Sequence, residues 1–146
     1  MITSEVEILL VEDTRSDAEM TIRAIRKSNI TNNIIHLKDG AEAIDFLYGK
    51  GAYEGRDTNQ KPKVILLDLK MPKMNGIEVL VQIRSHELTK KIPVVVLTSS
   101  NENPDIEKCY ELGVNSYVVK PIVIEEFVKK VSYLGLYWMI HNQPPI

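Results

Sequence analysis

Val64-Ile65-Leu66-Leu67-Asp68 is a run of four apolar residues that stops on a carboxylate. A short run rich in Val, Ile and Leu, without polar alternation, reads as a strand buried on both faces, typical of a parallel sheet under helices. Three other stretches share this form. Ile8-Leu9-Leu10-Val11 runs into Glu12-Asp13, Val94-Val95-Val96-Leu97 into Thr98-Ser99-Ser100, and Tyr117-Val118-Val119 into Lys120-Pro121. In open parallel sheets the ligand site lies outside the carboxyl ends of the strands. Glu12, Asp13, Asp68, Thr98 and Lys120 are therefore expected to converge on one edge, although they are scattered along the chain.

Helix-period segments alternate with these strands. Thr14 to Asn29 places Ala18, Ile22 and Ile25 on one face, and Asn32-Asn33 turns into a second strand, Ile34-Ile35-His36-Leu37. Asp39-Gly40 opens a helix over Ala41 to Tyr48, and Asn75-Gly76 opens another over Ile77 to Arg84. Asn103-Pro104-Asp105 sets an N-cap candidate before proline, and Gly113 is a natural stop. A last helix is predicted from about Ile122 to Ile140. Five strands and five helices in strict alternation predict an α/β domain with right-handed crossovers. The expected architecture is a flavodoxin-like, doubly wound five-stranded parallel sheet of order 2-1-3-4-5, which sets Glu12-Asp13 beside Asp68. The whole chain, 1–146, reads as one domain with its core in about 5–135.

Composition narrows the function classes. A formal net charge of -2 offers no reason to expect nucleic acid or an anionic membrane as partner. Cys109 is the only cysteine, which excludes an intramolecular disulfide; it reads as a small apolar residue on a helix. No signal peptide is expected from the first residues, and no stretch approaches the roughly 20 apolar residues of a membrane span. The cytosol is the expected location.

Three carboxylates at adjoining strand ends repel one another, by about 4 kcal/mol for two charges 4 Å apart at an effective dielectric near 20. A cation must offset this, or one carboxyl must hold a proton. An all-oxygen donor set without His or Cys suits Mg²⁺ and argues against zinc. Lys120 adds a second positive charge, and the Thr98 hydroxyl a hydrogen bond to a tetrahedral oxyanion. An Asp held between metal, lysine and hydroxyl is arranged to accept a phosphoryl group, because that transfer needs mostly positioning and charge neutralisation. Asp68 is the better nucleophile candidate than Asp13, since Glu12 and Asp13 together form a metal clamp. Any one of these acids alone would read as a loop starter or helix cap; the full set, ending four strands, does not.

At these residues the chain resembles the receiver domain of two-component response regulators. The stretches that carry the likeness are Ile8 to Asp13, Ile65 to Pro72 with Asn75-Gly76, Val96 to Ser99, and Tyr117 to Pro121. The resemblance implies Asp68 as phosphoacceptor and Mg²⁺ held by Glu12, Asp13, Asp68 and the backbone carbonyl of Lys70. It implies Thr98 as a hydroxyl switch, Tyr117 as the aromatic that moves with it, Lys120 on the phosphoryl group, and a cis Lys120-Pro121 bond. A narrower likeness runs through Asp39-Gly40 with Ala43, Asp45 to Tyr48, Ile92 to Thr98 and Tyr137-Trp138. These resemble the small regulators paired with phytochrome-type histidine kinases, although Lys70 stands where that subgroup often has a polar amide. The implied partner is a sensor histidine kinase, and the implied role a phosphorelay switch.

The last helix carries two apolar faces. Ile124, Phe127, Val128, Val131, Leu134 and Trp138 form one, and Tyr133, Leu136, Tyr137 and Ile140 a second. One helix cannot bury both on one sheet, so the second is expected to form a homodimer contact. The Gly49 to Gly55 stretch lacks phosphate-loop spacing and reads as a surface loop, and His36, His86 and His141 share no ligand spacing. Competing readings are a receiver of a non-phytochrome pathway, an Asp-nucleophile phosphohydrolase of the haloacid-dehalogenase kind, a flavin-binding domain and an inert pseudo-receiver. The hydrolase would need an acid two residues after Asp68, where Lys70 stands. A flavin phosphate would be repelled by Glu12-Asp13.

Overall fold

The computed structural model describes residues 7–27, 30–71, 73–99, 103–120, 122–123, 125–127 and 129. In chain order these form β1 (Ile8–Val11), α1 (Arg15–Lys27), β2 (Ile34–Leu37), α2 (Gly40–Tyr48), a 3-10 turn (Gly51–Tyr53), β3 (Val64–Asp68), α3 (Gly76–Ser85), β4 (Val94–Thr98), α4 (Asn103–Glu111) and β5 (Ser116–Val119). All strand pairs are parallel, and the order is β2-β1-β3-β4-β5. This is the flavodoxin-like sheet expected from the alternation. Residues 125–127 and 129 are helical and open the fifth helix. The positions expected to continue it, including Tyr133, Leu136, Tyr137 and Ile140, lie outside the described residues, as do Pro121 and His141.

Every residue of β1, β3 and β4 is buried, whereas the edge strands β2 and β5 are partly exposed. Alternate side chains of the central strands feed two separate cores. Leu9, Val11, Ile65, Leu67, Val94 and Val96 pack toward α2, α3 and α4. Ile8, Leu10, Val64, Leu66, Val95 and Leu97 pack with Ala18 and Ile25 of α1 and with Phe127. Two covered faces leave no position where a polar residue would reach water, which is why the runs do not alternate. Cys109 sits in the first core at 1% exposure, the apolar role its sequence context suggested.

The helices begin where their caps dictate. Asp39 accepts the Glu42 amide at 2.8 Å to start α2, and Gly49, at φ 66°, ends it in the left-handed conformation. Asn75 and Glu78 form a reciprocal capping box that starts α3 at Gly76, one residue ahead of the expected Ile77. The chain leaves α4 through Gly113, at φ 77°. Near β5 the expectation of a helix from Ile122 shifts: residues 122 and 123 are not helical, and the first turn closes from the Phe127 amide to the Val123 carbonyl at 3.0 Å. Among the described residues, no helix is long and apolar enough to cross a membrane.

Arg84 knits the amino-terminal end of the sheet. Its guanidinium donates to the carbonyls of Lys90, Ile92 and Gly113 and to Asn115 Oδ1, at 2.8–3.2 Å. Arg84→Ala strands those carbonyls, and a loss of about 2–4 kcal/mol is expected in urea unfolding, with the m-value unchanged.

Candidate functional site

Strand register assembles the site. Val11 pairs with Leu67, so the next residues, Glu12 and Asp68, leave β1 and β3 at the same level. Asp68 pairs with Leu97, which sets Thr98 at the end of β4, and the Lys120 amide donates to the Thr98 carbonyl at 2.7 Å. Glu12, Asp13 and Asp68 each offer a carboxylate oxygen, and these three atoms lie within 4.8 Å of one another. Glu12 and Asp68 are buried and Asp13 is exposed. Lys120 reaches across to them, its Nζ at 2.5 Å from Glu12 Oε1 and 3.6 Å from Asp68 Oδ1. Of the residues expected to converge, the structure brings Glu12, Asp13, Asp68 and Lys120 together, with Thr98 ending the neighbouring strand.

Both remedies for crowded carboxylates are present. Burial is the main force raising the Asp68 pKa, to about 7, with Glu12 adding through a hydrogen bond and its charge; Lys120 and the Lys70 amide oppose them. Burial alone would lower the Lys120 pKa, but Glu12, Asp68 and Asp17 together hold the ammonium above its ordinary value. The donor set is all oxygen, which fits a hard divalent cation. The Lys70 amide faces Asp68 Oδ1 at 3.4 Å, and its neighbour in the β3–α3 loop, Lys73, holds a left-handed φ of 66°. That conformation costs a residue with a Cβ about 1–2 kcal/mol, so the loop beside Asp68 is held by its surroundings. Lys73 Nζ lies 3.7 Å from Asp39, the cap of α2.

Two participants escaped the sequence reading. Asp17, in the first turn of α1, lies 3.1 Å from Lys120 Nζ. Its position four residues after Asp13 was the available signal. His36 Nε2 lies 2.7 Å from the Glu12 carbonyl, so this histidine is tied to the acidic segment, not merely solvated. His86 instead stacks on Tyr48 with ring centroids 4.3 Å apart. Gly49 to Gly55 forms a cap and a 3-10 turn, and the turn buries none of its residues, as expected of a surface loop.

The family model of the response regulator receiver domain matches residues 8–132. The chain belongs to this family. The receiver is 40% identical over 138 residues to the probable methanogenesis regulatory protein FilR2 of Methanothrix harundinacea, covering 94% of this chain and 86% of FilR2. It is 39% identical to the response regulator Rcp1 of Synechocystis, covering 90% and 88% of the two chains. Among solved structures, the bacteriophytochrome response regulator RtBRR superposes with a TM-score of 0.84 at 49% identity, over 96% of this chain and 84% of RtBRR. Rcp1 has been solved in a Mn²⁺-bound form, and superposes with a TM-score of 0.75 at 38% identity over 97% and 99% of the two chains. The receiver is thus a signalling domain close to phytochrome-associated regulators.

In the receiver, Thr98 is buried and Tyr117 is partly buried against the first core, its ring edge-on to Tyr110 with centroids 6.0 Å apart. The Asn75-Gly76 pair has a steric reason. A Cβ at Gly76 would press on the Asp68 carbonyl oxygen and come within 2.6 Å of Leu69 Cα. Gly76→Ala is therefore expected to push the Asp68 backbone out of register, at about 1–3 kcal/mol of stability. The check is urea unfolding together with backbone amide shifts, which should change most at residues 68–70.

Proposed function

We propose that this receiver is a phosphorelay switch whose Asp68 accepts a phosphoryl group from a phytochrome-type sensor histidine kinase. The observation that carries the reading is the meeting of Glu12, Asp13 and Asp68 with Lys120 at one sheet edge. An Asp68 carboxylate oxygen attacks phosphorus, the P–N bond to the kinase imidazole breaks, and an acyl phosphate forms. Water later cleaves the P–O bond and restores the carboxylate. Glu12, Asp13, Asp68 and the Lys70 carbonyl would hold Mg²⁺, which supplies charge neutralisation at the phosphoryl oxygens. Lys120 contributes a second positive charge, and the Thr98 hydroxyl donates to a phosphoryl oxygen and couples to Tyr117. Removal of the acyl phosphate is assisted by the same groups, without turnover of a separate substrate.

Acetyl phosphate with Mg²⁺ should add one acid-stable, base-labile phosphoryl group to the chain, seen as a single mass increment. Rapid turnover of p-nitrophenyl phosphate at Asp68 would instead favour the hydrolase. The phytochrome assignment is supported by the likeness to RtBRR and Rcp1. The FilR2 likeness, nearly equal to that of Rcp1, favours a second reading, a receiver serving a different kinase. Transfer rates from a phosphorylated bacteriophytochrome kinase and from an unrelated kinase decide between them. The proposed output is protein contact by the receiver, with Tyr133, Leu136, Tyr137 and Ile140 forming a homodimer seam. Sedimentation showing only monomer at high concentration, phosphorylated or not, would remove that seam.

A further inference from the structure

At the end of the sheet opposite the carboxylates, a cavity of about 630 Å³ is lined by Lys61, Lys63, Lys90 and Lys91 and by one carboxylate, Glu87. The volume lies in the range of ordinary ligand sites. Parallel pairing of β3 with β4, Ile65 opposite Val94, runs their two lead-in segments side by side. Lys-Pro-Lys before one strand and Lys-Lys-Ile-Pro before the other thus meet.

Neither segment is loosely held. Arg84 grips the carbonyls of Lys90 and Ile92 at 3.1 and 2.8 Å, and the buried Thr89 hydroxyl donates to the Ile83 carbonyl at 2.8 Å. On the other wall the Lys63 amide donates to Glu7 at 3.0 Å, while Arg56 donates to the Gln60 carbonyl and lies over the Phe46 ring. Glu87 pairs with Lys90 at 3.0 Å. Setting aside Lys63, which has a partner of its own, the lining still holds two more ammonium groups than carboxylates (Lys61, Lys90 and Lys91 against Glu87) in a chain of net charge -2. Like charges fixed at one groove invite an anion, as the clustered acids at the other end invite a cation.

The kind of anion follows from the donors. The amides of Lys63, Lys90 and Ile92 donate to the carbonyls of Glu7, His86 and Thr89, so they do not form a phosphate nest. The Arg84 guanidinium is taken up by carbonyls, so it offers no bidentate fork. What faces the groove is a spread of lysine point charges over an apolar lining of Pro62, Leu88, Ile92 and Pro93. Spaced carboxylates with an apolar residue between them match that surface better than a compact phosphate does.

We propose that this groove docks an acidic peptide segment of a partner protein, on the far side of the molecule from Asp68. The probe is a short synthetic peptide of glutamates flanking two leucines, titrated into the ¹⁵N-labelled chain. Amide shifts should concentrate at 61–63 and 87–93, and the affinity should fall as salt rises. An exposed ammonium–carboxylate pair strengthens binding by about fivefold at most, so the double reversal Lys61→Glu with Lys91→Glu should weaken it about tenfold or more. Acetyl phosphate uptake by that variant should be unchanged, which separates failure here from failure of the phosphorelay reading. Shifts centred elsewhere, or equal affinity in the variant, would overturn the proposal. So would inorganic tripolyphosphate binding the same residues as tightly as the peptide.

Discussion

Asp68→Asn is expected to take up no phosphoryl group from acetyl phosphate, and to be more stable than the parent chain at pH 8 without divalent metal. The first effect follows because a carboxamide is a poor nucleophile and cannot form the acyl phosphate. The second follows from linkage. The Asp68 pKa stands at about 7 in the folded chain against an ordinary value of 3.8, mainly because burial penalises the charge. A carboxyl that binds its proton more tightly when folded loses stability as pH rises through its unfolded pKa, and the loss levels off above its folded pKa. Asn carries no such loss. The variant should match the parent chain at acid pH and exceed it, on the order of a few kcal/mol, above neutrality. Urea midpoints across pH measure this. Saturating Mg²⁺ should stabilise the parent more than the variant, because the variant has lost a charged ligand.

Lys120→Met is expected to destabilise the metal-free chain by about 3–5 kcal/mol above neutral pH, the range for removing one partner from a buried charge cluster. Lys120 Nζ contacts Glu12, Asp17 and Asp68; Asp17 can turn to water, but Glu12 and Asp68 are buried at 0% and 4% exposure and cannot. The deficit should shrink as pH falls below about 7, where Asp68 takes up its proton, and shrink again on adding Mg²⁺. The Lys120 pKa is raised in the folded chain, so its own stabilisation holds below the ordinary lysine value and is lost only as pH rises through the higher folded value. Phosphoryl uptake should persist, since Asp68 remains, but slow by about 10²–10³-fold, the usual consequence of losing one preorganised charge. A variant that phosphorylated at the parent rate would show that the lysine's charge is not delivered to the reacting group.

Much of the site was legible because its residues end strands. The apolar runs before Asp68, Glu12 and Thr98 are buried throughout, and the pattern of a doubly covered strand has few alternative readings. A residue that ends such a strand is placed by the backbone, without knowledge of any rotamer. Helix starts were nearly as clear where a cap is local, as at Asp39 and Asn75. Asp17 and His36 were not legible for the opposite reason. One projects from α1 and the other from an edge strand, and their partners depend on how those elements rotate against the sheet.

The amino-acid sequence by itself determined the strands and the acid, hydroxyl and ammonium residues that end them, because side-chain period and strand termini are local properties; the order 2-1-3-4-5 followed as the expected arrangement of such an alternation. Only the tertiary structure decided how charge is shared there. It brings Lys120 against Glu12 and Asp17, leaves Asp68 holding its proton to about pH 7, and brings two lysine-bearing segments together at the opposite end. Those outcomes depend on burial and on separations of a few ångströms between residues distant in the chain, and electrostatic energies change several-fold over that range.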